Sequence, residues 1–218
     1  DNNFTVSLSE TTDGGITISS SFKVMEEDTK ADYDAGFTLA FTDGSKLDLL
    51  NAGNASGSHA VSIPGSAGAE GVANTSTNQA PTGLDFMTAS TAFGVEYHTA
   101  SDFIADGLSM SFSASTDTGA NAVATYRTDS HYAIGATYVT DFGDTAVTIG
   151  AGYSDADGSI SGATLPNDDT SGSHIGLSAV TGDLTVAVGF ADGDSIASTG
   201  TSTNDVQVDG EVVKAGVK

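Results

Sequence analysis

The side chains that could ligate a metal or transfer a proton are scattered along this sequence. Its four histidines are far apart and form no His-Glu-x-x-His pair, and there is no cysteine. No Gly-x-Ser-x-Gly turn or phosphate-binding loop is present either. We therefore predict that the protein is not an enzyme and that it has neither a thiolate metal site nor a disulfide. We interpret His131 and His174 as polar residues at the beginnings of strands.

Acidic residues offer a second kind of chemistry, because carboxylates in small groups can bind Ca²⁺ or Mg²⁺. Such groups occur at 155–158, 167–169 and 192–194. None has the spacing of a complete calcium-binding loop. We interpret them as solvated loop tips and predict no cofactor, with Ca²⁺ binding in these loops as the alternative.

The overall charge excludes one class of partner. The chain has 29 acidic and 6 basic residues, for a formal net charge of −23. Nucleic-acid binding depends on Lys and Arg side chains that neutralise phosphates. We therefore predict no nucleic-acid partner.

The elements that must position these residues are strands, because apolar residues recur with a period of two. In the clearest runs every position of one parity is apolar except Ser20, and the other parity holds only Thr, Ser, Gly, Ala and Lys23. Eleven strands are predicted in a single all-β domain covering 1–218. The clearest runs are 4–8, 16–24, 37–41, 108–114, 132–138, 147–153, 175–179 and 184–190, and weaker ones lie at about 46–50, 87–97 and 206–217.

The small, almost uncharged second face distinguishes these strands from ordinary half-buried ones, which usually turn Lys, Glu and Arg toward water. It suits the interior of a barrel whose apolar parity faces lipid. A solenoid or sandwich with a Ser/Thr outer face would also fit. No stretch approaches the roughly 18–20 apolar residues of a membrane helix.

Short and long connections alternate, as in outer-membrane barrels with short turns on one side and long loops on the other. The short turns are 11–15, 43–45, 141–144 and 181–183, with a longer one at 99–106. The long connections are 26–34, 51–86, 116–130, 155–173 and 192–205. We predict an antiparallel up-and-down transmembrane β-barrel.

At this point the sequence resembles the trimeric general-diffusion porins of alphaproteobacterial outer membranes. The resemblance rests on the hairpin around Thr12-Asp13-Gly14-Gly15, the hairpin at 37–50 and the hairpin at 132–153. It implies a homotrimer in outer-membrane lipid and 16 strands in the whole protein, of which this chain would hold a portion. It also implies that 51–86 is a loop that folds into the barrel and narrows the pore, with Glu70 and Asp85 as its charges. The alternative is a surface loop.

The charges of the second face would then line the pore, where they select ions and polar solutes. They are Lys23, Lys46, Asp48 and Glu96. A position near strand ends, in water, is the alternative for all four. Because acids dominate, we expect a cation preference. Gly150→Ser, on the same face, is expected to be mild.

The sequence thus predicts an outer-membrane porin that passes small hydrophilic solutes and ions by passive diffusion. The alternative is a secreted or surface-layer acidic β-protein with a structural or adhesive role, possibly dependent on Ca²⁺. A soluble β-protein would bury the apolar parity against a second sheet. A porin would leave it facing lipid.

Overall fold

Strands make up most of the structure, a computed structural model that describes residues 4–25, 36–50, 54–64, 94–116, 126–160, 170–197 and 206–218. They form one sheet in which each strand pairs with its neighbours in sequence. All of the pairings are antiparallel. The strands are β1 (Phe4–Thr11), β2 (Thr17–Met25), β3 (Phe37–Ala40), β4 (Lys46–Leu49), β5 (Gly94–His98), β6 (Leu108–Thr116), β7 (Tyr126–Phe142), β8 (Thr145–Ile160), β9 (Thr170–Thr181), β10 (Leu184–Ala197) and β11 (Val206–Val217).

The prediction of an all-β, antiparallel up-and-down fold is confirmed, with the eleven strands in the order expected. The sheet is open: β1 and β11 are its edges among the described residues. The described residues include one helical turn, the 3-10 helix Gly57–His59. None of them forms a helix long and apolar enough to cross a membrane.

The short turns lie where the sequence predicts them. Two residues join β7 to β8 and two join β9 to β10, and each pair begins with a glycine of positive φ, Gly143 or Gly182. Tight hairpins need such residues because their backbone turns through conformations that other residues avoid. At 43–45 the side chain of Asp43 accepts hydrogen bonds from the hydroxyl and the N–H of Ser45, which hold the pKa of Asp43 below its usual value.

Several strands extend beyond their predicted ends into segments that we expected to be irregular loops. β7 begins at Tyr126, β8 continues to Ile160 and β10 continues to Ala197. Two of the three acidic groups therefore lie in strands, so their interpretation as loop tips is wrong. They are Asp155 and Asp157 in β8, and Asp192 and Asp194 in β10. Backbone pairing continues through them, for example between Asp155 and Ser171, because an acidic side chain does not interrupt the ladder. The group 167–169 lies outside the described residues.

His131 and His174 also lie inside strands, β7 and β9, rather than at their beginnings. Both are buried. The prediction was wrong because the strands start several residues earlier than the apolar alternation does.

The two faces of the sheet differ as the alternation predicts. On the apolar face Ile134 is 38% exposed and Val186 is 44% exposed, while Leu108 and Val147 are half-buried. On the other face, which we call the small-residue face, Ser111 is 2% exposed and Ser154 is fully buried. The small-residue face is thus the covered side of the sheet, although its residues are the more polar.

Candidate functional site

The cover on the small-residue face is the segment 54–64, which we call the inner segment. It follows β4, and Leu50, the residue after that strand, has a φ of +63°. Few residues other than glycine adopt this left-handed conformation, which redirects the chain as β4 ends. Ala55, Ser56 and His59 of the inner segment are buried.

The inner segment has a local fold of its own, organised by Asn54. The side-chain oxygen of Asn54 accepts hydrogen bonds from the N–H groups of Ser56 and, more weakly, Gly57. Its carbonyl oxygen accepts the N–H and the hydroxyl of Ser58. Asparagine favours such turns because its short side chain reaches the backbone two residues on. The 3-10 turn that results presents His59 to the sheet.

Hydrogen bonds tie the inner segment to strands β6, β7 and β9. The N–H of Ala55 donates to the hydroxyl of Ser113 on β6 at 3.0 Å. The ring of His59 bridges two hydroxyls, with Nδ1 2.7 Å from Thr137 Oγ1 on β7 and Nε2 2.8 Å from Ser111 Oγ on β6. His174 on β9 donates from Nε2 to the carbonyl oxygen of Ser56 at 2.9 Å.

Glycines make room for this contact. A Cβ built on Gly135 would overlap the carbonyl oxygen of Ala55, and one on Gly150 would overlap that of His59. In the same way, a Cβ on Gly152 would overlap Ser56, and one on Gly216 would overlap the carbonyl oxygen of Pro64. The expectation that Gly150→Ser is mild is therefore wrong: the added side chain would collide with backbone rather than extend into open space.

The surroundings of His59 disfavour its charged form. Burial lowers the pKa of His59 below its ordinary value of 6.5, and the charges of His98 and His174 lower it further. Protonating the ring would place a cation in a partly desolvated site beside two other histidines.

A charged cluster lies beside the inner segment, on the neighbouring strands β4 and β5. Asp48 and Glu96 are directly opposite each other, and so are Lys46 and His98. Asp48 Oδ2 is 3.2 Å from Lys46 Nζ and 3.1 Å from His98 Nε2. His98 Nε2 is also 3.5 Å from Glu96 Oε1. The hydroxyl oxygen of Ser58 lies 3.3 Å from Glu96 Oε1, so the inner segment contacts this cluster directly.

Three of the four residues expected to line a pore are thus brought together. Lys23 is separate from them: it lies in β2 opposite Thr5, at a register position of the small-residue face. Ser19 pairs with Thr38, which pairs with Asp48, so Ser19 marks the position of Asp48 along β2. Lys23 is four residues beyond Ser19 and therefore about 13 Å further along the strand. Glu70 and Asp85, expected to be the charges of the constriction loop, lie outside the described residues.

Sequence reasoning missed His98 and His59 as members of this arrangement. For His98 a signal was available, because it follows Glu96 by two residues and must share its face in a strand. For His59 the sequence offers no such signal, since its position depends on how the inner segment folds back. The chain matches no protein-family model and no curated protein.

Proposed function

We propose that the protein is an outer-membrane porin through which small hydrophilic solutes and ions diffuse passively. The observation that carries the proposal is the contrast between the two faces. Large aliphatic and aromatic side chains are exposed on one face, and a buried segment with a polar, small-residue wall lies on the other.

The apolar face supports a lipid environment. Water would make the exposure of so many large apolar side chains on one sheet unfavourable, at roughly 25 cal/mol for each Å² left uncovered. No second sheet covers that face in the part of the chain that the structure describes. Lipid tails would cover it instead, as they cover the outer surface of a membrane barrel. Residues of this kind include Phe112, Ile134, Tyr138, Ile175, Leu177, Val186, Val188 and Phe190.

The small-residue face supports the conducting role. Its hydroxyls and glycines leave space for water, and the inner segment occupies part of that space along β6 to β9. We infer that the inner segment narrows the pore and sets the size limit for solutes. Asp48 and Glu96 beside it would favour cations.

The proposal includes a homotrimer in outer-membrane lipid and no catalytic step. The trimer and the choice of the outer membrane rest on the resemblance to trimeric diffusion porins, whereas the apolar face supports a lipid environment as such.

The decisive experiment is reconstitution of the detergent-purified protein into planar bilayers. We expect discrete conductance steps, a reversal potential on the cation-selective side and a size cutoff for sugars in liposome swelling. Absence of conductance from correctly folded protein, together with full solubility without detergent, would instead favour the secreted or surface-layer acidic β-protein.

A further inference from the structure

We propose that Asp48, Glu96 and His98 form a binding site for a divalent transition-metal cation of the Zn²⁺ type. The site lies on the small-residue face beside the inner segment. Its existence does not depend on the proposed pore function, because the argument uses only the donor atoms and their surroundings.

The donor atoms already have the separations that such an ion requires. One atom from each of the three side chains lies within 4.8 Å of the other two. His98 Nε2 is 3.1 Å from Asp48 Oδ2 and 3.5 Å from Glu96 Oε1. Ligand atoms of a tetrahedral ion with bonds of roughly 2.0–2.2 Å are about 3.4 Å apart. Two of the three edges therefore match, and one imidazole with two carboxylates leaves a fourth position for water.

Hydrogen bonds hold two of the three ligands, His98 and Asp48, at the atom that does not face the ion. His98 Nδ1 is 2.8 Å from the hydroxyl of Ser111, so Nδ1 can keep the ring proton while Nε2 binds an ion. Thr38 donates to the Oδ1 atom of Asp48, leaving Oδ2 as the ligand atom. The hydroxyl of Ser58 lies 3.3 Å from Glu96 Oε1, the oxygen that faces His98. Such partners fix ligand orientation and are a regular feature of metal sites.

The charge at this position also calls for a cation. Asp48 and Glu96 are a directly opposed cross-strand pair, an arrangement in which like charges repel. Glu96 is 4% exposed, so water screens its carboxylate little. Among the described residues, Lys46 lies within ion-pair distance of Asp48, and His98 lies within that distance of both carboxylates.

Lys46 is the competitor for the site. Its ammonium lies 3.2 Å from the same Asp48 oxygen that would ligate the ion, and its side chain is 46% exposed. The lysine can therefore swing into water when an ion binds. The donor set favours Zn²⁺ over Ca²⁺, because Ca²⁺ prefers six to eight oxygen ligands whereas imidazole nitrogen suits transition metals.

The test is direct titration of the metal-free protein in detergent with ZnCl₂, followed by calorimetry, with Co²⁺ absorption bands as a second readout. We expect one saturable site that binds Zn²⁺ more tightly than Ca²⁺. His98→Gln and Asp48→Asn should each weaken Zn²⁺ binding by about tenfold or more. Lys46→Gln should strengthen it by about tenfold, because a competing cation is removed.

Matched controls separate this site from general acidity. Asp43→Asn removes a carboxylate from the turn between β3 and β4, close in sequence to Asp48. His131→Gln removes a buried histidine from the small-residue face. Neither should change Zn²⁺ affinity. Stoichiometric binding that is indifferent to His98→Gln and Lys46→Gln would overturn the proposal, as would the absence of saturable binding. A failed conductance test with intact Zn²⁺ binding would count against the porin alone.

Discussion

The small-residue face has the same kind of side chains in β1–β2 as in β6–β9, but its burial differs between the two regions. Ser7, Ser9 and Ser21 are exposed, whereas Ser111 and Ser113, at the same parity, are buried. In β1–β2 the hydroxyls bond across the strands, as between Ser7 and Ser21. In β6 they bond to the inner segment. For these serines the inner segment, rather than the residue type, makes the difference.

Glycine distinguishes the two regions where serine does not. Strands β1 to β4 and β6 contain no glycine, whereas each of β7 to β11 contains at least one. These glycines lie on the small-residue face, and four of them contact the inner segment closely. A glycine inside a strand lowers its stability, and a close approach of another backbone accounts for these four. Serine occurs on both the covered and the uncovered part of the face, whereas glycine is found where the inner segment comes closest to the strands.

The largest effect should come from the apolar face, which the two regions share. In the proposed porin, we expect Ile149→Arg in the covered region and Leu8→Arg in the uncovered region each to cost on the order of 2–4 kcal/mol, because both place a charge in lipid. The wild-type side chains are 36% and 58% exposed. Unfolding by urea from lipid vesicles measures both. A large cost for only one of them would mean that the regions differ on the apolar face too.

The next effect separates the regions. Gly150→Ala and Ser21→Thr each add one carbon to the small-residue face. Gly150→Ala should destabilise the protein by about 1–3 kcal/mol, because the new methyl group meets the backbone of His59. Ser21→Thr should change little, because Ser21 is exposed.

Thermal unfolding in detergent and single-channel conductance provide the measurements for this pair. Displacement of the inner segment by Gly150→Ala should raise conductance. Equal stability and equal conductance in the two variants would show that the inner segment does not rest on Gly150.

Acidification should weaken the docking of the inner segment. The pKa of His59 is lowered when the segment is docked, so the docked form resists protonation more than the undocked form does. The contribution of His59 to the stability of the docked form is therefore complete above about pH 6.5, the pKa of an unperturbed histidine. It is lost as the pH falls through the lowered pKa of the docked His59. Conductance should therefore increase between about pH 7.5 and pH 5. His59→Gln should flatten that response, and an unchanged pH profile in this variant would assign it to other groups.

The smallest effect concerns selectivity. Lys46→Gln removes a cation next to Asp48, beside the inner segment, whereas Lys23→Gln removes one from the uncovered region. Both should shift the reversal potential toward cations under a salt gradient. The shift should be larger for Lys46, because fields act most strongly where the passage is narrow. A larger shift for Lys23 would place the limiting cross-section over β1–β2.

Much of the fold follows from the sequence because a period of two determines both the strands and their faces. Strand ends do not follow, since pairing continues through acidic residues such as Asp155 that carry no apolar signal. The alternation also places Lys46, Asp48 and Glu96 on one face. Their proximity depends on β4 pairing with β5 across a long connection, which local patterns do not encode. The position of the inner segment against the sheet has only an indirect signal in the sequence, namely the glycines of the strands that it contacts.

The hydrogen bonds of the inner segment also bear on the order of folding. Every strand pairs with a sequence neighbour, so most hairpins can form from local contacts, which close quickly. By contrast, Ala55 bonds to a residue 58 positions away, His59 to one 78 away and Ser56 to one 118 away. These contacts need β6, β7 and β9 to be in place first. Folding should therefore pass through an intermediate in which strand pairing is largely complete and the inner segment has not yet docked on the small-residue face. In that intermediate the amide protons of the strands should resist exchange before those of residues 54–64 do.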